Sequence, residues 1–169
     1  MVGALENYAN PRPNQMDYCE LLPLVNNLQL LLSSRLAAKG IELECFIPEG
    51  LLIYVDKMHL IQILINLINN SIDAFNEPGT IRLLARQDKG MAIILVEDDG
   101  EGIAAANLER IFEPFFTTRQ SGTGLGLYIC NQLAIANSGS IQVKQREPKG
   151  TRIEIILIGK EREGDNGDG

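Results

Sequence analysis

Residues 56–75, DKMHLIQILINLINNSIDAF, form a strongly apolar run interrupted by polar side chains of the kind that bind ligands. At about 100° per residue, the polar positions fall on one side of a predicted helix. We call them the polar stripe: His59, Gln62, Asn66, Asn69, Asn70 and Asp73. Asn and Asp form helices poorly, because their side chains compete for backbone hydrogen bonds. Such a row therefore favours a polar site over a solvated face.

Three members of the stripe suit a metal–phosphate site. Asn66, Asn70 and Asp73 stand at i, i+4 and i+7, so their side chains stack on one face of the helix. An amide oxygen is a neutral, hard ligand. It suits Mg²⁺, which takes few protein ligands when phosphates supply others. The alternative is a helix whose Asn side chains bond to a neighbouring loop.

A glycine-containing turn, Asp98-Asp99-Gly100-Glu101-Gly102, follows a predicted strand. Its glycines let the backbone turn sharply and approach a flat ligand. Its first carboxylate can accept a hydrogen bond from an exocyclic amine. An ordinary Asp-Gly turn is the alternative.

A second glycine-rich stretch, GTGLGL at residues 122–127, leads into a predicted helix. Its backbone N–H groups and the positive helix end suit an anion. It lacks the GK[ST] of a Walker A loop and the G-x-G-x-x-G spacing of a dinucleotide fold. A plain glycine-rich turn is the alternative.

The segment FEPFFTTR, residues 112–119, holds three of the five phenylalanines in a predicted loop. We interpret it as a mobile lid with apolar anchors. The alternative is a loop that its aromatic side chains fix in the core.

The elements that position these stretches alternate single helices with pairs of strands. Helices are predicted at residues 21–38, 56–75 and 124–137, with a short helical piece at 104–111, and strands at 41–47, 51–55, 80–86, 91–97, 140–146 and 151–158. This order predicts an α+β two-layer sandwich, with a mixed, mostly antiparallel sheet of about five strands covered by three helices on one face.

We predict one domain at residues 16–159, preceded by the end of an upstream element at 1–15 and followed by a disordered tail at 160–169. A net charge of −7 argues against a nucleic-acid partner and an anionic membrane surface. Three widely spaced cysteines indicate reduced thiols and a cytoplasmic location. No apolar run approaches the roughly 18 residues of a membrane span, and no signal peptide is recognisable.

The four stretches NLINNSIDA, DDGEGI, FEPFFTT and GTGLGL resemble, in order and approximate spacing, the N, G1, F and G2 boxes of sensor histidine kinases. The resemblance covers about residues 20–158 and includes the wider GHKL ATPase superfamily, with gyrase and the heat-shock chaperone ATPases. It implies the Bergerat ATP-binding fold, with ATP and Mg²⁺ as cofactors. The short lid resembles that of nitrogen-regulator and sporulation kinases.

Carried over box by box, the resemblance implies that Asn70 binds Mg²⁺ and that Asp98 accepts from the adenine amine. Arg119 is implied to lie near the γ-phosphate, and with Asn66 to serve catalysis. Asp73 stands where many relatives have Lys, so we expect it to bond another side chain rather than a phosphate. The implied nucleotide-binding positions are Asn66, Asn70, Asp73, Asp98, Gly100, Gly102, Ile103, Phe112, Thr118, Gly122, Thr123, Gly124, Leu125, Gly126, Leu127 and Thr151.

One position separates the enzyme classes of the superfamily. The ATPases and anti-sigma serine kinases resemble each other in having a Glu general base four residues before the Mg²⁺-binding Asn. This chain has Asn66 there, and a neutral amide cannot take a proton. The resemblance thus implies phosphoryl transfer to histidine rather than rapid hydrolysis. A non-catalytic nucleotide-binding regulatory domain and a GHKL serine kinase or ATPase are the alternatives.

The phosphoacceptor must lie elsewhere, because His59, the only histidine, lacks the acidic neighbour of an acceptor box. We interpret His59 as a packing or solvent-facing residue. Residues 4–13 resemble the end of the second helix of a dimerisation and phosphoacceptor domain. The resemblance implies that domain of the same parent kinase and a response regulator receiver domain as partners, a homodimeric parent, and a monomeric fragment with no nucleic-acid or membrane contact.

Overall fold

The computed structural model describes residues 12–119 and 122–160. Within those ranges the chain forms seven strands and three α-helices, and each helix after the first follows a pair of strands. The strands are β1 Met16–Glu20, β2 Ile41–Phe46, β3 Leu52–Asp56, β4 Gly79–Asp88, β5 Met91–Asp98, β6 Ser140–Gln145 and β7 Thr151–Gly159. The helices are α1 Leu21–Lys39, α2 Lys57–Asp73 and α3 Gly126–Ala136, with a 3₁₀ turn at Ala105–Asn107. In this part of the chain, no helix is both long and apolar enough to cross a membrane.

All the strands belong to one sheet in the order β1-β3-β7-β5-β4-β2, with β6 also paired to β7. The β2–β4 pair is parallel and the other described pairs are antiparallel. The prediction of a mixed, mostly antiparallel α+β sheet is therefore confirmed. The sheet has seven strands rather than about five. The additional β1, MDYCE, lacks the alternation of apolar and polar residues that would have identified it.

The sequence neighbours β2 and β3 do not form the expected hairpin. β2 lies at one end of the sheet and pairs with β4, whereas β3 pairs with β1 and β7 at the other side. The main-chain oxygen of Leu51 accepts from Leu21 N–H at 3.0 Å, which ties the start of β3 to the start of α1. Short sequence separation alone thus failed to predict the pairing here.

The core is centred on α2, which is buried on most of its surface as the sequence predicted. Six of its apolar side chains have no solvent exposure: Leu60, Ile63, Leu64, Leu67, Ile68 and Ile72. Burying a Leu or Ile side chain contributes about 1.5–3 kcal/mol. These contacts fix the helix, and they leave the orientation of the polar stripe little freedom.

Residues with known capping preferences stand at the end of α1 and at the start of α2. Gly40 ends α1 in the left-handed conformation, with φ 63°. Asp56 begins α2, and its side chain accepts hydrogen bonds from the main-chain N–H groups of Met58 and His59. The ends of α2 are therefore defined by local chemistry as well as by packing.

Asp56 also binds the segment that precedes β1. Its carboxylate accepts from Arg12 Nη2 at 2.7 Å and from Gln15 N at 2.9 Å, although only 2% of its side chain is exposed. Burial acts to raise the pKa of Asp56, but the hydrogen bonds from Gln15 and Arg12 and the nearby His59 together lower it below its ordinary value. The ionised carboxylate thus joins the described N-terminal residues to α2.

The lowered pKa predicts how Asp56→Ala will affect stability. At pH 7 the variant should lose about 1–2 kcal/mol of unfolding free energy, because it removes a helix cap. A depressed carboxyl pKa stabilises the fold above the unfolded-state value, and this contribution is lost as pH falls through the folded-state value. The deficit should therefore shrink below about pH 4. Urea denaturation across pH measures it, with exposed Glu42→Gln as control; a deficit independent of pH would contradict the account.

Candidate functional site

Asp98, the last residue of β5, is a buried carboxylate anchored from three sides. Ser71 Oγ donates to it at 3.0 Å and Gly100 N at 3.1 Å, and the main-chain N–H of Thr151 also donates. Burial raises the pKa of Asp98, and these three hydrogen bonds act in the opposite direction. A carboxylate has about four acceptor positions, so one remains for a ligand donor such as an amine.

The backbone around Asp98 is packed too closely for side chains. A Cβ added to Gly150 would lie 2.0 Å from the main-chain oxygen of Asp98, and one added to Gly102 would lie 3.1 Å from the oxygen of Gly150. Both glycines have positive φ, 107° and 81°, which favours glycine on conformational grounds as well. These turns and buried Thr151 are therefore brought together beside Asp98, as the sequence predicted for a surface that accepts a flat ligand.

Asn70, in the last turn of α2, lies between Arg119 of the phenylalanine segment and the start of α3. Arg119 Nη2 donates to the main-chain oxygen of Asn70 at 3.0 Å, and Arg119 Nη1 lies 3.8 Å from Asp73 Oδ2. A Cβ added to Gly126 would lie 3.8 Å from Asn70 Nδ2. The Asn70 side chain thus lies beside the first residue of α3.

The glycine-rich stretch is held by the phenylalanine segment. Phe115 N donates to the main-chain oxygen of Gly124 at 2.9 Å, and a Cβ added to Gly124 would lie 2.4 Å from the Phe115 backbone. Leu125 N donates to Thr123 Oγ1 at 3.3 Å. At the N-cap of α3, Leu125 has no side-chain acceptor to offer. The first N–H groups of α3 are thus left for an anion.

Asn66 points toward α3 and forms a hydrogen bond with Cys130. Burial raises the pKa of the Cys130 thiol to about 12, and the hydrogen bond from Asn66 acts to lower it. The contact joins α2 to α3. The side chain at this position is a neutral amide held in place, and it offers no base to a bound nucleotide.

The remaining predicted positions divide between the core and the surface. Phe112 and Leu127 pack against the core, and the Ile103 carbonyl accepts from the Gln145 side chain. Gly122 and Thr118 are exposed near the end of the lid segment. The nucleotide roles of these five positions stay predictions.

The phenylalanines of residues 112–119 have different environments. Phe112 packs against the core, whereas Phe115 is 73% exposed and has a positive φ of 65°. Arg110 lies over the Phe116 ring, 4.5 Å from its centroid. The loop is thus anchored at one end and open to solvent further along.

Three residues of the site region were missed by sequence reasoning. Ser71, which bonds Asp98, lies on the apolar side of α2 next to Asn70; a lone hydroxyl among apolar residues was its only signal. Arg146 Nη1 donates to the Asp98 main-chain oxygen at 3.0 Å. Arg35 of α1 reaches the polar stripe. The two arginines gave no sequence signal, because their partners are distant in the chain.

His59 lies in an interior network away from the Asp98 turn. Its Nδ1 is 3.0 Å from Asn137 Nδ2, and fully buried Asn137 also accepts from Asp56 N at 2.8 Å. Burial lowers the pKa of His59, while neighbouring Asp56 raises it. The packing interpretation of His59 fits these contacts.

A family model described as histidine kinase-, DNA gyrase B-, and HSP90-like ATPase matches residues 55–160, more than half of the chain. The chain belongs to this family. The predicted resemblance is thereby confirmed, and ATP is the nucleotide that the family uses.

Curated relatives include sporulation kinase A of Bacillus subtilis (strain 168), 33% identical over 149 residues, with 87% of this chain and 25% of the relative covered. Sensor histidine kinase ZraS of Escherichia coli O157:H7 is 35% identical over 161 residues, with 93% and 34% covered. The chain thus spans about a quarter to a third of the length of these relatives.

Solved structures show the same fold. The nucleotide-free catalytic domain of histidine kinase ThkA has a TM-score of 0.78 and 30% identity, over 85% of this chain and 95% of that one. ThkA in complex with response regulator protein TrrA gives a TM-score of 0.80 at 26% identity, over 95% and 46%. This chain therefore has the fold of a histidine kinase catalytic domain.

The buried Asp98 predicts a strong and pH-dependent effect on adenine nucleotides. Asp98→Asn should weaken ATP binding about 10- to 100-fold, since a charge-assisted hydrogen bond is worth roughly 1.5–3 kcal/mol. Arg119→Ala should cost only about fivefold, the scale of an exposed charge. Because the Asp98 pKa is raised, wild-type affinity should also fall with pH as the carboxylate protonates.

Isothermal titration calorimetry, repeated as the pH is lowered from neutral toward the ordinary carboxyl range, measures both effects. Asp98→Asn is the control for protonation of adenine itself, so its affinity should change less with pH. Equal losses in Asp98→Asn and Arg119→Ala would mean that the adenine end has been assigned to the wrong residues.

Proposed function

We propose that this chain is the catalytic ATP-binding domain of a two-component sensor histidine kinase. It binds Mg-ATP and presents the γ-phosphate to a histidine on a separate dimerisation and phosphoacceptor domain of the same parent. The phosphoryl group then passes to a response regulator receiver domain. The observation that supports this most is the convergence of the Asp98 turn, Asn70, the glycine-rich stretch and Arg119 at one end of α2.

In this proposal the adenine lies against the Gly100 and Gly102 turn, with its amine donating to Asp98. The close approach of backbone from residues 98–102 and 150–151 supports it, since it leaves a surface without side chains. Ser71 and Thr151 hold the carboxylate in place. The carboxylate of Asp98, held in this position, favours a base that carries an amine donor.

The phosphates then lie along the N-terminal end of α3 and the glycine-rich stretch. Backbone N–H groups at the start of α3 face them, and the uncapped helix end favours their negative charge. Asn70 would hold Mg²⁺, and the ion would supply positive charge against the negative charge that develops on the phosphates during transfer. Arg119, beside Asn70, places a guanidinium near the terminal phosphate.

Transfer to histidine, rather than hydrolysis, is favoured by Asn66. An attacking water needs a base, and the amide at this position, already hydrogen-bonded to Cys130, supplies none. A neutral imidazole needs no base to become nucleophilic. The contribution of this domain is therefore to hold the γ-phosphate in line with the acceptor.

The partners follow from the same proposal. The complex of ThkA with TrrA supports a response regulator as the downstream partner. We expect the parent kinase to be a homodimer that works in the cytoplasm, and the isolated domain to be a monomer. Residues 1–11 and 161–169, to which the upstream helix and most of the tail were assigned, lie outside the described residues.

Transfer can be tested with the purified chain, radiolabelled ATP and the phosphoacceptor domain of its parent kinase. The acceptor should gain an acid-labile phosphohistidine that depends on Mg²⁺. Asn70→Ala should reduce the rate by about 100-fold or more, the scale of losing a group that positions charge in the transition state. Asn26→Ala, an exposed helical Asn on α1, should transfer at the wild-type rate.

Two results would favour the alternatives. ATP binding without any phosphohistidine would indicate a non-catalytic regulatory domain. Rapid ATP turnover by the chain alone, lost in Asn70→Ala, would indicate an ATPase.

A further inference from the structure

Asp73 places a carboxylate beside the part of α2 proposed to face phosphates. It follows Asn70 by three residues, so the two side chains are neighbours about 5–6 Å apart at Cβ. Its side chain is 40% exposed, and its Oδ2 lies 3.8 Å from Arg119 Nη1. An unpaired negative charge here would repel a triphosphate and compete with it for Arg119.

Arg35, on a different helix, pairs with this carboxylate. Its Nη2 donates to Asp73 Oδ1 at 2.5 Å, and its Nη1 donates to Asn69 Oδ1. The guanidinium therefore bonds two members of the polar stripe at once, in the planar geometry that arginine offers and lysine does not. The buried leucines of α1 fix this helix in the core. Arg35 therefore reaches the polar stripe of α2 from a neighbouring helix.

The two arginines occupy different oxygens of Asp73. Arg35 lies at Oδ1, whereas Arg119 approaches Oδ2 at a longer distance and also donates to the Asn70 carbonyl. Asp73 is thus paired with Arg35 at the shorter distance, and its contact with Arg119 is the longer one. Arg119 remains free to exchange this weak contact for a phosphate.

We propose that Arg35 is a positioning residue of the phosphate site. It neutralises Asp73 and holds its carboxylate toward α1, so that Arg119 and the phosphates meet without an uncompensated negative charge. The inference rests on the proposed function, because it assumes that phosphates lie beside Asn70. In this proposal Asp73 lies beside the phosphates with its negative charge neutralised by Arg35.

Binding of ATP, ADP and adenosine to the 169-residue chain in Mg²⁺ distinguishes this role from a structural one. Arg35→Ala should weaken ATP about three- to fivefold, ADP less, and adenosine not at all, in keeping with an exposed charge. The loss should diminish at high salt. Arg35→Lys loses the contact with Asn69 but keeps the charge that neutralises Asp73, and it should bind ATP within about twofold of wild type.

The decisive comparison is made in a background that lacks the carboxylate. If Arg35 acts by neutralising Asp73, Arg35→Ala should have no effect on ATP affinity in the Asp73→Asn protein. Arg86→Ala removes an arginine paired with Asp88 near the other end of β4 and controls for net charge. It should bind ATP as wild type does.

Three outcomes would overturn the assignment of Arg35: a parallel loss of adenosine binding, an Arg35→Ala effect that persists with Asp73→Asn, or wild-type ATP affinity in Arg35→Ala. Failure of the wild-type chain to bind ATP or adenosine would instead overturn the proposed function, and the role of Arg35 with it. The two failures are therefore distinguishable.

Discussion

The structure depends on burying α2 while keeping one side of it polar. Six of its Leu and Ile side chains have no solvent exposure. Any rotation of the helix about its axis would expose apolar surface. The polar stripe therefore has a fixed direction. Each amide and carboxylate on it must find a partner or remain available to a ligand, because burying an unpaired polar group is costly. The site is in this sense a consequence of the core.

Three acids on or next to α2 are stabilised in different ways, and the differences match their places. Asp56 caps the helix and pairs with Arg12, which favours the charged form. The carboxylate of Asp98 is bound by neutral donors alone, and burial raises its pKa. It can still accept a hydrogen bond from another donor. Asp73, at the surface, is neutralised by an arginine from another helix. Only the environment of Asp98 leaves a buried acceptor incompletely satisfied, as a ligand-binding carboxylate requires.

The opposite end of the site relies on backbone rather than side chains. The Phe115 and Gly124 backbones approach so closely that a side chain on the glycine would collide with the loop. This contact links the phenylalanine segment to the start of α3, whose first N–H groups have no side-chain cap. A rigid carboxylate at one end and a helix terminus at the other suit a ligand with a polar base and an anionic tail. The described arrangement of the loop leaves Phe115 exposed beside that terminus.

Sequence alone determined the parts that local rules govern. The period of the apolar residues predicted α2 and its polar stripe, Gly40 and Asp56 marked helix ends, and four ordered motifs indicated the family. Local rules could not predict which strands pair: β2 and β3 are neighbours in the chain but lie at opposite sides of the sheet. Nor could they place Arg35 beside Asp73, or Asn66 against Cys130. Those contacts join residues dozens of positions apart, and only the packing of helices against one another and against the sheet decides them.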